Sequence, residues 1–404
     1  MVPNGWEEKP LIKLLDKIID YRGQSVPKAD NGIPLITARN VRFGYLDFSN
    51  QEYVDEGEFE NWMSRGIPDV GDILFTTEAP LGMACRFPEK GRYAVAQRTV
   101  TLRTSNRLHS DFLLYFLLSE HGQRLIDIRS SGSTAKGIKS AELKKVKLLH
   151  PTCINEQQKI AKILTTWDKA IDTTERLIDN SKQQKKALMQ QLLSGKKRLL
   201  DENGKPFEGE WEDATVSSFG KVVTGNTPPK NDPNNYGGSI SWATAEDFKQ
   251  KYVSSTKVKL TDSGATKARI VPRGSVLVTC IASIGKNAIA NEGLATNQQI
   301  NSVVINKDHS NEFFYYLIEF NTHKLLAWAG TTAVPILNKT SFEKVKFTVP
   351  SLKEQQKIAA VLTNADKEIE LLEQQLADLQ QEKKALMQVL LTGKKRVVVD
   401  GGTA

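Results

Sequence analysis

Three cysteines in 404 residues, Cys85, Cys153 and Cys280, stand far apart and never as a CxxC pair. An odd, scattered set builds neither a disulfide framework nor a thiolate zinc site, so all three are read as reduced thiols. The five histidines (His109, His121, His150, His309, His323) show neither HExxH nor any other ligand spacing, and no metal is expected. No run approaches the roughly 18–20 consecutive apolar residues of a membrane span, and the start, MVPNGWEEKP, lacks a basic-then-apolar signal. With 39% apolar content, these absences predict a soluble, cytoplasmic chain of two or three domains with no membrane partner.

Catalytic signatures are equally scarce. Asn226-Thr-Pro-Pro-Lys230 comes nearest to an Asn-Pro-Pro-aromatic loop that closes on a flipped base, but Thr intervenes and Lys stands where the aromatic belongs. The prolines are read as a rigid turn. No glycine-rich strand-to-helix turn for S-adenosylmethionine appears, and Ile284-Gly-Lys286-Asn lacks the rest of a phosphate loop. Asp69 and Glu78 do not complete a nuclease pattern, because Pro80 stands where a lysine would be needed. Chemistry is therefore expected from a partner, with no catalytic residue in this chain.

What the chain has in abundance is itself. Residues 156–199 and 354–397 align without a gap, with 25 identities in 44 positions, from EQQKIA at the start to GKKR at the end. Each follows a globule of about 150 residues that opens on Trp-Glu (Trp6-Glu7, Trp211-Glu212). Apolar or small residues recur at steps of four and three: Ile358, Leu362, Ala365, Ile369, Leu372, Leu376, Leu379, Leu386 and Leu390, with Lys383 in the gap. The first copy matches with Ile160, Leu164, Trp167, Ile171, Thr174, Ile178, Ser181, Leu188 and Leu192, with Lys185 in the gap. This is a heptad seam. Each helix should stop at a glycine (Gly195, Gly393), and Ser351 with Glu354 reads as a capping box.

The spacing predicts a pair of antiparallel helices about 60 Å long, related by a pseudo-twofold axis, between two globules. The boundaries run 1–155, 156–199, 200–353 with a linker at 200–210, 354–397, and a tail at 398–404. Identity off the seam predicts a surface for two copies of one partner. Those positions are Gln157, Lys159, Asp168, Lys169, Glu175, Lys186 and Gln190, matched by Gln355, Lys357, Asp366, Lys367, Glu373, Lys384 and Gln388.

The globules resemble each other more faintly. Pro68-Asp-Val-Gly71 matches Pro272-Arg-Gly274, Gly82 matches Gly285, and Ser-Gly-Ser-Thr134-Ala matches Ala-Gly-Thr-Thr332-Ala. Short strands (72–76, 275–279), one helical stretch each (111–126, 311–327) and a closing strand (VKLLHP, VKFTVP) predict α+β globules with mostly antiparallel sheets. The net charge of +8 sits mainly in the first helical segment at +5, against +2 for each globule and none for the second segment. Within the first globule, residues 86–147 hold 13 basic against 5 acidic side chains, whereas Asp55, Glu56, Glu58 and Glu60 cluster earlier. One face can attract phosphates while another stays acidic.

The doubled EQQKIA…KKALMQ-LL-(S/T)-GKKR pattern, with residues 224–248 and 279–290, resembles the specificity subunits of type I restriction-modification enzymes across nearly the whole chain. The first globule follows more loosely, with GIPLITARNV standing where GSISWATAEDF stands in the second. The resemblance implies two β-rich α+β target-recognition domains, each reading one half of a bipartite, asymmetric site on double-stranded DNA. It implies two modification (methyltransferase) subunits docked on the helices, with restriction subunits in the full complex. S-adenosylmethionine would sit on the former, and ATP and Mg on the latter. Candidate DNA contacts are Arg39, Asn40, Arg42, Gln97, Arg98, Lys136 and Lys139, and in the second globule Lys249, Lys286, Asn287, Asn297, Gln298, Gln299, Asn338 and Lys339. Two other readings stay open: a stand-alone DNA-binding protein on the same scaffold, which binds without partners, and an unrecognised nuclease or methyltransferase, which turns over alone.

Overall fold

A computed structural model describes residues 2–132, 136–330 and 334–399. The matched Thr134 and Thr332 segments and residues 400–404 of the tail lie outside the described residues. The chain divides into two compact units, Met1–Glu175 with Gln374–Ala404, and Arg176–Glu373. These units do not follow the sequence partition. Each combines one globule with the first part of the helix that leaves it and the last part of the other helix, because both parts pack on that globule's core.

In unit 1 the strands Trp6–Pro10 and Lys147–Pro151 pair antiparallel, closing the globule where the chain enters and leaves. One sheet orders Leu15–Asp20, Thr99–Thr104, Ile73–Thr76 and Ala84–Arg86, antiparallel throughout. A second orders Lys28–Ala29, Glu52–Val54, Ile33–Ile36 and Ala94–Val95, the last pair parallel. Unit 2 repeats the plan. Glu212–Thr215 pairs with Lys346–Val349, one sheet runs Gly220–Thr224, Ile300–Ile305, Val276–Thr279, Asn287–Ala290 and Tyr252–Val253, and the other centres on Tyr236–Ala243. The α+β, mostly antiparallel expectation holds.

The single helical stretch expected in each globule is two helices. Ser110–Leu118 and Glu120–Ile128 break at Ser119, whose extended backbone lets its hydroxyl accept from Gly122 N–H. A Cβ on Gly122 would stand 2.0 Å from the Phe116 carbonyl, so the tight break requires glycine there. In unit 2 the break falls at Asn321, between Asn311–Phe320 and Thr322–Ala327.

The long helices run Ile154–Leu192 and Leu352–Leu390. In unit 1, Ile160, Leu164 and Leu390 enter a core with Phe75, Val100, Phe112 and Phe116. In unit 2, Ile358, Leu362 and Leu192 join Val276, Phe313, Phe314 and Leu317. Every expected seam position is buried or half-buried. Each fully buried large apolar side chain contributes about 1.5–3 kcal/mol, so these seam residues tie each helix to a globule as well as to the other helix.

The repeated ends of the helical segments meet head to tail. In unit 1, Arg396 donates to both carboxylate oxygens of Glu156 at 2.6 and 2.7 Å. In unit 2, Arg198 does the same to Glu354 at 2.7 Å twice. Glu354 thus faces an arginine, and its carboxylate is not the arm of a capping box. The glycine stops are as expected: Gly393 (φ 68°) lies against Trp6, and Gly195 (φ 71°) against Trp211. The opening Trp of each globule is the seat of a returning helix end. The segment expected as a linker, 200–210, folds back on itself through a Leu200–Pro206 bridge and a Phe207 N–H to Leu199 carbonyl bond of 3.0 Å.

Candidate nucleic-acid interface

A turn follows the strand Ile33–Ile36. Asn40 Oδ1 accepts from Thr37 N–H at 2.9 Å and Thr37 Oγ1 at 2.8 Å, while Asn40 Nδ2 donates to the carbonyls of Asp47 and Asn50, each at 2.9 Å. Unit 2 builds the same turn after Tyr236–Ala243. Thr244 N–H and Oγ1 donate to Asp247 Oδ2 at 2.8 and 3.0 Å. The segments GIPLITARNV and GSISWATAEDF, which differ in sequence, fold alike at this point.

Two further loops repeat around each turn. Thr77 N–H bonds Arg98 carbonyl and Ile138 N–H bonds Thr77 carbonyl; correspondingly, Cys280 N–H bonds Gln299 carbonyl and Leu337 N–H bonds Cys280 carbonyl. Ala79 (φ 47°) and Ala282 (φ 62°) take left-handed backbone at matching places in these loops. A β-carbon there costs free energy, and such strain is kept mainly where a loop has work to do.

The structure brings Arg39, Gln97 and Arg98 together around a 210 Å³ cavity with Lys28 and Ala79. Arg98 pairs with Glu78 at 3.1 Å, and Arg42 with Asp47 at 3.3 Å. Lys136 pairs with Asp127, and Lys139 is exposed at the start of Ser140–Leu143. In unit 2, Lys249, Lys286 and Asn287 line one 420 Å³ cavity, with Lys286 Nζ 2.7 Å from Ala245 carbonyl and Asn287 Nδ2 donating to Tyr315 carbonyl. Asn297 and Gln299 bond each other at 3.1 and 3.3 Å, and exposed Gln298 accepts from Thr227 at 2.5 Å. Lys339 pairs with Glu343 at 3.5 Å.

Two of the candidates are structural instead. Asn40 is fully buried and saturated by its turn. Asn338 caps the helix Lys339–Glu343, accepting from Ser341 N–H at 2.8 Å. Asn226, from the proline segment, ties its own loop together through Lys267 carbonyl, Arg269 N–H and Trp242 Nε1.

The helical surfaces need a sharper correction. Gln157 is buried; it accepts from His109 N–H at 2.8 Å and donates to the carbonyls of Arg107 and Pro151. Gln355 repeats this toward Ser310, Pro350 and His309. Both are clamps inside their units and do not present a docking surface. Asp168 receives Tyr115 O–H at 2.6 Å and pairs with Lys383; Asp366 receives Tyr316 O–H and pairs with Lys185 at 2.7 Å. Burial, reinforced by the aspartate, drives both tyrosine hydroxyls far above their ordinary range. The lysines that interrupt the heptads are thus answered by carboxylates. As helical residue numbers rise on one side they fall on the other, so the helices pair antiparallel in each unit.

The remaining helical candidates stay at the surface. Lys159, Lys169, Lys357 and Lys367 are exposed, and Glu373 pairs with Lys182 at 2.7 Å. Lys384 holds Glu120 at 2.7 Å and keeps that carboxyl below its usual range. Two matching grooves border the helices. One, of 730 Å³ in unit 1, includes Glu175, Lys384 and Gln388 beside exposed Phe43 and Tyr45; the other, of 590 Å³ in unit 2, includes Lys186, Gln190 and Met189. Sequence reading missed Arg86 and Lys251, which bolt the tyrosine–aspartate clusters to the globules. Arg86 meets Asp111 at 2.5 Å and Thr165 at 3.3 Å, while Lys251 meets Thr363 at 2.8 Å and Tyr316 at 3.0 Å. Arg86 ends the strand Ala84–Arg86, whereas Lys251 stands just before the strand Tyr252–Val253, so the two cations occupy non-matching positions and no alignment of the globules reveals them.

Among the described residues, no cluster of three histidine, cysteine or acidic side chains is placed to hold a metal, and no helix is long and apolar enough to cross a membrane. Burial pushes the Cys85 and Cys280 thiols up to about 12 and about 11.

The family model for the type I restriction modification DNA specificity domain matches twice, over residues 18–182 and 208–381. The chain belongs to this family. It is 25% identical to the putative type I restriction enzyme MjaX specificity subunit of Methanocaldococcus jannaschii, over 98% of this chain and 95% of that protein. It is 31% identical to the type I restriction enzyme HindI specificity subunit of Haemophilus influenzae over 35% of this chain and 32% of that one. The S subunit of a type I restriction-modification system from M. genitalium shares the fold, with TM-score 0.59 at 14% identity over 96% of this chain and 97% of that one. A chain from a structure of type I R-M complex assembly matches equally, at TM-score 0.59 over 98% and 100%. As a family member, this chain is a DNA sequence-specificity subunit.

Proposed function

We propose that each unit reads one half of a bipartite, asymmetric DNA site, that the helical segments set the gap between the halves, and that the chain is non-catalytic and cytoplasmic. Two modification subunits carrying S-adenosylmethionine dock on the helical grooves; restriction subunits, where present, bring ATP and Mg. The observation that carries this reading is the contrast between frame and display. The turns, loops, clamps and helix ends of the units share their principal bonds, while the side chains displayed on the turns differ. A shared frame with different displays suits two readers of different sequence.

Co-expression with a candidate modification subunit, mass determination of the complex and mapping of methylated adenines on plasmid DNA test it. The expected result is two partners per chain and methylation at one split, asymmetric motif. Turnover by the isolated chain, or a monomer that leaves DNA unmodified in the presence of its partner, overturns it.

A further inference from the structure

We propose that the third residue of the repeated Thr-Ala-X-Asx turn, Arg39 in unit 1 and Glu246 in unit 2, is a specificity-determining position that reads a base edge. Arg39 favours guanine and Glu246 favours cytosine. The inference rests on the DNA-reading function proposed above.

The two residues occupy the same place. Thr37 to Asn40 and Thr244 to Asp247 are pinned by the same pair of bonds, and the backbone beside them is joined alike, Ala96 N–H to Ile36 carbonyl and Asn297 N–H to Ala243 carbonyl. Of the four turn residues only the third is exposed in both units. Among the described residues, neither the Arg39 nor the Glu246 side chain has a hydrogen-bond or ion-pair partner within its unit, although each stands on a rigid turn. A held backbone presenting a free polar end loses little conformational entropy on binding.

The opposite charges decide what that end is for. A phosphate contact would call for a cation in both units, since the DNA backbone repels a carboxylate. A merely solvated position would not be held by a buried four-bond turn such as that of Asn40. Base edges account for both signs: the arginine fork matches guanine O6 and N7, and a carboxylate accepts from the cytosine N4 amino group. The neighbours fit, with Gln97 and Arg98 beside Arg39, and Lys286 bonded to the carbonyl next to Glu246.

The test uses the complex with its modification subunit and maps methylated sites for the unaltered chain, Arg39→Ala, Glu246→Ala and Glu246→Gln. We expect each alanine variant to relax one base position in one half-site by about tenfold or more while the other half stays intact. Glu246→Gln should shift that position from cytosine toward adenine, which glutamine pairs bidentately. An unchanged motif with undiminished discrimination overturns the proposal, and so does a uniform loss across all sequences, the mark of a phosphate contact. If the unaltered complex methylates no split site, the underlying function fails, and the inference falls with it.

Discussion

Asn40 illustrates how a polar residue in a turn, read from sequence as a base contact, is spent on the protein itself. Its amide satisfies two donors and two carbonyls at a site with no access to water. Asn40→Ala strands those groups, and we expect a loss of about 2–3 kcal/mol, measured as a lower denaturation midpoint with an unchanged slope. What distinguishes Asn40 from Arg39 is solvent exposure, which adjacent positions in a non-periodic turn do not encode. His150 gives a second residue-scale expectation. It is buried beside Glu7 Oε1 at 3.5 Å, and burial outweighs that carboxylate, so the imidazole lies below its ordinary value. His309, packed on Phe219, shifts the same way. The folded chain therefore holds neutral rings while the unfolded chain takes up protons first. Stability should fall as pH drops below about 6.5, and His150→Gln should flatten thermal midpoints measured between about pH 7 and 5.

The long helices were the most legible elements, because a seam at steps of four and three leaves little choice of fold and a glycine marks each end. Their partners were less legible. The tyrosine–aspartate–lysine clusters and the glutamine clamps include bonds between residues as many as 215 positions apart, and the off-seam identity they impose looks in sequence like a docking surface. The helical break at Ser119 was hidden for a related reason: residues 111–126 read as one helical stretch, and it is the extended, capping Ser119 and the close approach of Gly122 to the Phe116 carbonyl that divide it. The two glycine stops give a graded test. Both Gly393→Ala and Gly195→Ala put a β-carbon in left-handed backbone, costing about 1 kcal/mol or more. At Gly393 that carbon would also stand 2.7 Å from Pro3 Cγ and 3.1 Å from the Trp6 ring, whereas at Gly195 the nearest atom, on Trp211, is 3.4 Å away. Gly393→Ala should therefore lower the thermal midpoint more than Gly195→Ala, and the reverse order would refute this account of the helix ends.

For the whole chain, the repeat makes each globule exchangeable while its helical clamps are kept. Replacing residues 1–155 with another recognition domain should change one half-site of the methylated motif and leave the other, a result read directly by methylation mapping. The opposite cut tests the frame. In unit 1 the segments 3–6 and 393–396 already meet: Arg396 donates to Asn4 carbonyl at 2.6 Å, and Gly393 packs on Pro3 and Trp6. In unit 2, residues 201–205 form an exposed turn whose Gly204 has open space around its Cα, and whose inner bonds are the short-range Asp201 and Lys205 pairings. Joining the termini through a short glycine linker and reopening the chain at Gly204 removes few contacts, so the permutant should fold. Its circular dichroism should match that of the parent, with a midpoint within a few degrees. A permutant that fails to fold, while the linear chain with the same linker appended folds normally, would mean that the helix ends and globules depend on the native order of synthesis or connection, against the pairing of Arg396 with Glu156 and Arg198 with Glu354 as the bonds that define each unit.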